Sequence, residues 1–250
     1  MPVPMPGRFL SPLLDFVHPQ RCVWCGASPW DAPWYPAGPP VAGLRPWDRT
    51  HSCRRCIGER LAADAGEDPV MRSLDCGIEA RGAVWSDRDL ARAVGAWKYH
   101  GVRGLAWPLG ELLEKAAPFL LGDLPNRGPH VFVPIPLHAR RRRSRGFNQA
   151  EILAGSLALA TGGTVRSDLV RRVRETGQQA RLGDASERFA NLQGAFRTTD
   201  PSTVSVPGAD LVLVDDLVTS GATVGEAAAA LRAGGLPTAR VVCIGLARPG

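Results

Sequence analysis

Two adjacent carboxylates, Asp215 and Asp216, stand between an apolar run and a short loop of small and hydroxyl residues. Residues 211–214 are all apolar, which predicts a strand buried on both faces of a parallel sheet. An alanine-rich run over residues 224–232 predicts a helix that ends at the Gly-Gly pair at 234–235. This order of elements marks a candidate ligand site whose loop comprises Thr219, Ser220, Gly221, Ala222 and Thr223.

The loop and the acidic pair suit two different kinds of ligand group. A helix N-terminus with glycine and hydroxyl residues offers donors to a phosphate, and the backbone can approach it closely. Carboxylates suit sugar hydroxyls or a hard cation such as Mg²⁺. Phosphoribosyl pyrophosphate (PRPP) with Mg²⁺ has all of these groups, and the stretch resembles the PRPP-binding loop of type I phosphoribosyltransferases. The alternative interpretation is a solvated acidic turn at the end of a strand.

Two other phosphate-binding patterns are excluded for this loop. It lacks the Gly-Lys-Ser/Thr of a Walker A loop. It also lacks the G-x-G-x-x-G spacing of a dinucleotide-binding turn, and its acids precede the helix rather than follow it.

A second candidate site follows the apolar segment 130–136. A helix is predicted from Asn148 or Gln149 to about Leu159, so the basic residues between strand and helix fall at the carboxyl edge of a parallel sheet, where ligands bind. We therefore expect them to face the same cleft as the acidic pair and to bind pyrophosphate or nucleic acid, although a charge run can also be merely solvated. These residues are Arg140, Arg141, Arg142, Arg143 and Arg145.

Lys98 stands between Trp97 and Tyr99 within a segment of helical spacing, residues 90–113, which is interrupted at His100-Gly101 and at Pro108. It is either a surface lysine whose stem lies along apolar groups or a ligand for phosphate. We count it with the arginines as a candidate pyrophosphate or nucleic-acid residue.

Four of the six cysteines form two C-x-x-C pairs, each of which can supply half of a tetrahedral Zn²⁺ site. The proline- and tryptophan-rich segment between the pairs has too little periodicity to form a core alone, which favours a structural metal. Disulfides and a redox C-x-x-C are the competing interpretations. The predicted ligands are Cys22, Cys25, Cys53 and Cys56; Cys243 is expected to be a small core residue, and Cys76 has no assigned role.

The bulk composition fits an α/β domain with a small N-terminal appendage. The chain has 250 residues, 44% of them hydrophobic, and a formal charge of +6 carried almost entirely by arginine. This charge fits a polyanionic substrate, nucleic acid, or both. No apolar run is long enough to span a membrane and the N-terminus lacks the apolar region of a signal peptide, so we expect a cytoplasmic protein.

Several separated motifs together resemble the ComF family (also called ComF/GntX), over about residues 13–250. They are the two C-x-x-C pairs, Lys98-Tyr99-x-Gly101, Val133-Pro-Ile-Pro136-Leu, Arg145-Gly-Phe-Asn-Gln149, Gln179 with Arg188-x-x-Asn191, and the Asp-Asp loop. The resemblance implies a phosphoribosyltransferase-like parallel sheet flanked by helices over residues 76–250. It also implies a zinc-ribbon-like module with four cysteine ligands within residues 1–75. The short apolar stretch at about residues 10–17 predicts a helix that leads into this module.

The resemblance also implies roles for individual residues. Asp215 and Asp216 would bind ribose hydroxyls and Mg²⁺, and residues 219–223 would bind the 5-phosphate. Arg143 and Arg145 would bind pyrophosphate, and residues 174–188 would correspond to a mobile lid.

The resemblance implies a ligand more firmly than a reaction. The first hypothesis is a PRPP-binding protein that handles single-stranded DNA with partner competence proteins during DNA uptake. The alternative is an active phosphoribosyltransferase that transfers ribose 5-phosphate from PRPP to a nucleobase or amine. A PRPP sensor without chemistry would need the same loop.

Overall fold

The structure is a computed structural model that describes residues 22, 24–27, 55–56, 59, 70–99, 103–124, 130–175, 192–199 and 210–249. The predicted helix near residues 10–17, Cys53 and the family motif residues Gln179, Arg188 and Asn191 lie outside these residues. None of the described helices is long and apolar enough to cross a membrane. The division of the chain at residue 75 stays a prediction.

The described strands form one six-stranded mixed sheet and a separate antiparallel pair. The strands of the sheet are β1 (Met71–Ser73), β2 (Glu79–Trp85), β3 (Val131–Pro134), β4 (Thr164–Val165), β7 (Leu211–Val218) and β8 (Thr238–Leu246), and the separate pair comprises β5 (Val170–Arg172) and β6 (Phe196–Thr198). The order in the sheet is β1-β2-β8-β7-β3-β4. All neighbouring strands of the sheet are parallel except β1 and β2, which form an antiparallel pair. The predicted α/β class with a mostly parallel sheet is therefore confirmed.

Helices cover both faces of the sheet. The helices are α1 (Arg88–Tyr99), α2 (Ala106–Leu121), α3 (Ala139–Arg145), α4 (Gln149–Thr161) and α5 (Ala222–Ala233). Alternate residues of β7 enter two separate cores, because successive strand side chains point to opposite faces. Val212 and Val214 pack with α1, α2 and α4, whereas Leu211 and Leu213 pack with α5 and the β5–β6 hairpin. The predicted burial of this strand on both faces is thus confirmed.

Two segments differ in detail from the prediction. The helical spacing over residues 90–113 belongs to two helices, α1, which ends at Tyr99 next to the predicted interruption at residues 100–101, and α2. Pro108 does not interrupt α2 but lies in its first turn, where the missing N–H would have no intrahelical partner. The arginine run, expected to be a loop, is the short helix α3. His138 accepts a hydrogen bond from the backbone N–H of Arg140 at its start, and Gly146 ends it with a left-handed φ of 79°.

The neighbouring strands β3 and β7 direct their following helices to opposite faces of the sheet. The chain leaves β3 for α4, which packs in the core with α1 and α2, and leaves β7 for α5 on the other face. Such a reversal opens a crevice at the carboxyl ends of the two strands, where α/β proteins bind ligands.

The opposite, amino edge of the sheet carries a closed charge network. Arg81 of β2 and Arg240 of β8 both contact the Glu79 carboxylate, with N···O distances of 2.9 and 2.7 Å. Both also pair with Asp123, which follows α2, and they donate to the carbonyl oxygens of Phe119 and Leu120. The network therefore ties the end of α2 to two strands.

Candidate functional site

A cleft of about 340 Å³ lies at the carboxyl ends of β3 and β7. It brings together residues from α1, the β3–α3 connection, α3, the start of α4, β5 and β7. Among its charged side chains four are cationic and two are carboxylates, so the cleft carries an excess of positive charge. These side chains are Lys98, Arg141, Arg145, Arg172, Asp215 and Asp216.

Asp216 is committed to an ion pair with the helix that packs beside it. Its Oδ1 lies 2.6 Å from Lys98 Nζ and also accepts the backbone N–H of Leu217 at 2.7 Å. The side chains of Lys98 and Asp216 are only 23% and 7% exposed. Burial alone would lower the pKa of Lys98, but the charges of Asp216 and Asp215 outweigh it and raise that pKa above its ordinary value. Lys98 is therefore not a surface lysine.

Asp215 occupies a different environment from its neighbour. It projects from the opposite face of β7, and its Oδ1 accepts the backbone N–H of Asp216 at 2.9 Å. Desolvation and the adjacent charge of Asp216 raise the pKa of Asp215 to about 7, although Lys98 and Arg172 act against this shift. Two neighbouring carboxylates thus differ: one is neutralised by a lysine, and the other is only half-buried and faces the cleft.

The loop after β7 forms a small concavity of about 30 Å³ at the N-terminus of α5. Gly221 is the N-cap residue with a φ of 78°, and the backbone N–H of Ala222 donates to Ser220 Oγ only at 3.5 Å. A β-carbon at Gly221 would lie 2.9 Å from Leu74 Cδ1, so both the backbone angle and the packing require glycine. The guanidinium of Arg72 donates to the carbonyl oxygen of Thr219 and holds the other end of the loop. The predicted loop residues are therefore gathered around a helix N-terminus.

Helix α3 divides the arginine cluster. Arg141 and Arg145 are four residues apart, lie on one face of the helix, and line the cleft. Arg140 instead lies 3.4 Å from Glu175, and Arg142 pairs with Glu151. Arg143 is exposed and is not among the residues that line the cleft. Of the five arginines predicted to bind pyrophosphate or nucleic acid, the structure therefore brings Arg141 and Arg145 to the cleft. Arg143, which the resemblance named as a pyrophosphate donor, does not line it.

Arg145 is held by two neighbours at the cleft mouth. Its Nη1 donates to Gln149 Oε1 at 2.7 Å, and its guanidinium lies 5.1 Å from the ring centre of Tyr99, which is 61% exposed. Gln149 is 1% exposed, and its Nε2 is buried without a hydrogen-bond partner among the described residues. Phe147, by contrast, packs into the core with its ring centre 6.0 Å from that of Trp97. Phe147 therefore packs beneath the connection between α3 and α4, and its ring does not offer a surface on which a base could stack.

Sequence reasoning did not identify Arg172 as a cleft residue. It comes from β5, whose partner β6 follows more than twenty positions later, so no local pattern places it beside α3. Its guanidinium lies 5.3 Å from the ring centre of Phe196. Desolvation and the charge of Arg141 lower the pKa of Arg172 to about 10, and Asp215 acts against this shift. The family motifs contain Tyr99 and Gln149, but their positions in the cleft depend on the fold.

Three of the four predicted metal ligands lie together. The sulfur atoms of Cys22, Cys25 and Cys56 are all within 4.8 Å of one another and could hold a metal ion. Cys22 and Cys25 lie in a tight turn in which the backbone N–H of Gly26 donates to the carbonyl oxygen of Cys22. Gly26 adopts a left-handed φ of 74° there. Cys53 lies outside the described residues. The backbone oxygen of Trp24 accepts a hydrogen bond from Arg92, so this turn contacts α1.

The remaining cysteines are packing residues. Cys243 is completely buried in β8, as predicted, and burial together with the charge of Asp215 raises the pKa of its thiol well above the usual range. Cys76 is half-buried and lies against Gly225 in the first turn of α5.

Comparisons with known proteins give relatives but no matching family model. The DNA utilization protein YhgH of Salmonella typhi is 41% identical over 116 residues, which cover 46% of this chain and 49% of that protein. The protein of the same name from Shigella flexneri is 39% identical over 116 residues, with the same coverage. Competence protein F of Haemophilus influenzae is 35% identical over 120 residues, 48% of this chain and 51% of that protein. The chain thus spans about half the length of the curated relatives it matches, and these similarities support its assignment to the ComF family.

Proposed function

We propose that the cleft between β3 and β7 binds PRPP together with Mg²⁺. The observation that carries the proposal is that a helix N-terminus, an available carboxylate and an excess of cationic groups meet at one topological switch point. The 5-phosphate would bind the backbone N–H groups and hydroxyls of residues 219–223. The half-buried Asp215 would accept hydrogen bonds from the ribose hydroxyls.

The pyrophosphate group would lie against the arginines of the cleft. Arg141, Arg145 and Arg172 come from two elements on either side of the opening, and guanidinium groups bind phosphate oxygens in bidentate geometry. Gln149 Nε2, which has no hydrogen-bond partner in the described part of the chain, would supply one more donor. Mg²⁺ would supply charge neutralisation between the phosphate oxygens and the acidic pair, with Asp215 as its available protein ligand.

We further propose that the protein acts in DNA uptake or DNA use and handles single-stranded DNA. Support comes from relatives named as a DNA utilization protein and as a competence protein, each matched over about half its length. The formal charge of +6 also favours a polyanionic partner. Binding of a short oligothymidylate by the wild-type protein, followed by fluorescence anisotropy, tests this part; no binding at low salt would contradict it.

The cysteine cluster is proposed to hold a structural Zn²⁺ through Cys22, Cys25 and Cys56, with Cys53 as the fourth ligand. A cluster made only of thiolates suits Zn²⁺ among the common metal ions. Elemental analysis should find one zinc per chain, lost in Cys22→Ser but retained in Cys76→Ser, because Cys76 packs against α5. Zinc-free wild-type protein would contradict the assignment.

Calorimetry with PRPP and Mg²⁺ tests the ligand proposal. Asp215→Asn keeps the size of the side chain and an oxygen acceptor for the Asp216 N–H, so the fold should be retained. Loss of a charged acceptor costs about 1.5–3 kcal/mol, so affinity should fall by roughly 10- to 100-fold. The matched control Asp168→Asn, which removes an exposed carboxylate paired with Arg166, should bind as wild type. Equal affinity of Asp215→Asn and wild type would contradict the proposal.

A further inference from the structure

The β5–β6 hairpin places two arginines directly opposite each other. Arg171 is the register partner of Arg197, so both side chains lie on the same face of the two-stranded sheet. Backbone hydrogen bonds join Val173 to Ala195 and Thr199 to Leu169. Because bonded pairs alternate along an antiparallel ladder, the arginines form a hydrogen-bonded pair with α-carbons about 5.5 Å apart.

This arrangement is unfavourable unless something neutralises it. Like charges directly opposite each other destabilise a sheet, and both arginines are exposed. Within the described part of the chain, neither guanidinium forms an ion pair with a carboxylate, whereas the exposed Arg142 and Arg140 pair with Glu151 and Glu175. A phosphate between the two guanidiniums would accept charged hydrogen bonds from both. The pair therefore has the geometry of an anion site.

The position of the hairpin connects this pair to the cleft. Arg172, the residue after Arg171, points from the inner face of the hairpin into the cleft. Strand β5 thus carries cationic groups on both faces at the rim of the site. Val173 shares the outer face with Arg171 and is 41% exposed, so an apolar surface lies beside the basic pair. Alternating phosphates and apolar base or sugar faces match such a surface better than an acidic peptide does.

We propose that the outer face of the β5–β6 hairpin, formed by Arg171, Arg197 and Val173, binds the phosphodiester backbone of a single-stranded nucleic acid. The inference rests on the proposed DNA-handling function and names the surface that performs it. A strand bound there would run along the rim of the cleft.

Anisotropy titrations of a short oligothymidylate at several salt concentrations test the proposal. The variant Arg171→Ala/Arg197→Ala removes two phosphate contacts, so the slope of log affinity against log salt should flatten by about 1.4, and affinity should fall at least tenfold at low salt. The control Arg88→Ala/Lys115→Ala removes the same charge from α1 and α2 on the opposite face of the sheet and should keep most of the affinity. PRPP binding by calorimetry should be unchanged in both variants.

A single substitution separates binding from folding. Arg197→Glu places opposite charges across the hairpin, so its melting temperature should rise or stay the same while oligothymidylate binding falls. DNA binding with an unchanged salt slope in Arg171→Ala/Arg197→Ala would overturn the assigned surface and leave DNA handling intact. If the wild-type protein does not bind DNA, both the assigned surface and the proposed DNA handling are wrong. Calorimetry tests PRPP binding independently of this result. Equal competition by polyglutamate and oligothymidylate would overturn the preference for nucleic acid.

Discussion

The two edges of the sheet carry charge clusters of the same residue types that are organised in opposite ways. At the amino edge, Arg81 and Arg240 are balanced by Glu79 and Asp123, and every one of these side chains contacts at least two partners. At the carboxyl edge, four cationic side chains face two carboxylates, and one of these carboxylates is already paired with Lys98.

The difference separates a structural network from a binding site. Burying charge is costly unless partners replace water. At the amino edge every charged side chain has ion-pair partners within the protein, although Arg240 Nε is buried without a hydrogen-bond partner among the described residues. The carboxyl edge leaves arginines, a buried amide nitrogen and the Asp215 carboxylate facing a cleft. A ligand with phosphate groups and hydroxyls has the chemistry to contact these groups, so we infer that the amino edge maintains the fold and propose that the carboxyl edge binds.

Breaking the closed network should have the largest effect on stability. Glu79→Gln removes one of the two carboxylates that Arg81 and Arg240 share and leaves both arginines, each 7% exposed, with Asp123. Loss of two charged contacts, at about 2 kcal/mol each, should cost about 4 kcal/mol. Urea denaturation measures the free energy of unfolding, and PRPP affinity of the folded protein should be unchanged. A loss below about 1 kcal/mol, typical of a surface ion pair, would show that the network is not a structural element.

Asp216, whose carboxylate pairs with Lys98, should contribute to stability as the ion pairs of the amino edge do. Asp216→Asn leaves the mostly buried Lys98 without its ion-pair partner and should cost about 3 kcal/mol. Replacing both, as Lys98→Met/Asp216→Asn, should recover part of that loss, since the unpaired charge is gone. If the losses of Lys98→Met and Asp216→Asn add up to the loss of the double variant, the two residues are not coupled.

The stability contributed by Asp215, which forms no ion pair among the described residues, should change with pH in the opposite direction from that contributed by Asp123 at the amino edge. Because the pKa of Asp215 is raised to about 7, its contribution to stability is full below about pH 4 and is lost as pH rises to about 7. The stability of Asp215→Asn relative to wild type should therefore increase across this interval. Hydrogen bonds from Arg240 and Arg81 hold the pKa of Asp123 below its usual range, so its contribution is lost only as pH falls below about 4.

Thermal melts of Asp215→Asn between about pH 4 and pH 7, and of Asp123→Asn from neutral pH to below about pH 4, check both signs. Asp123→Asn should be less stable than wild type at neutral pH, with a difference that shrinks in acid. A pH-independent difference between Asp215→Asn and wild type would mean that Asp215 is an ordinary solvated carboxylate.

The elements that sequence analysis predicted are those with a local cause. The buried strand of β7, the acid pair at its end and the glycine-containing loop before α5 all follow from adjacent residues. By contrast, the ion pair of Lys98 with Asp216 joins positions 118 residues apart. The position of Arg172 in the cleft depends on the pairing of β5 with β6. The division of the arginine cluster required knowing that it is helical, because only then do Arg141 and Arg145 share a face.

A crystal structure of the protein with PRPP and Mg²⁺ tests the central claim most directly. We predict the 5-phosphate at the N-terminus of α5, the ribose hydroxyls at Asp215, and the pyrophosphate against Arg141, Arg145 and Arg172. Ligand density elsewhere, or a cleft that stays free of ligand at saturating PRPP while the protein is folded, would contradict this assignment.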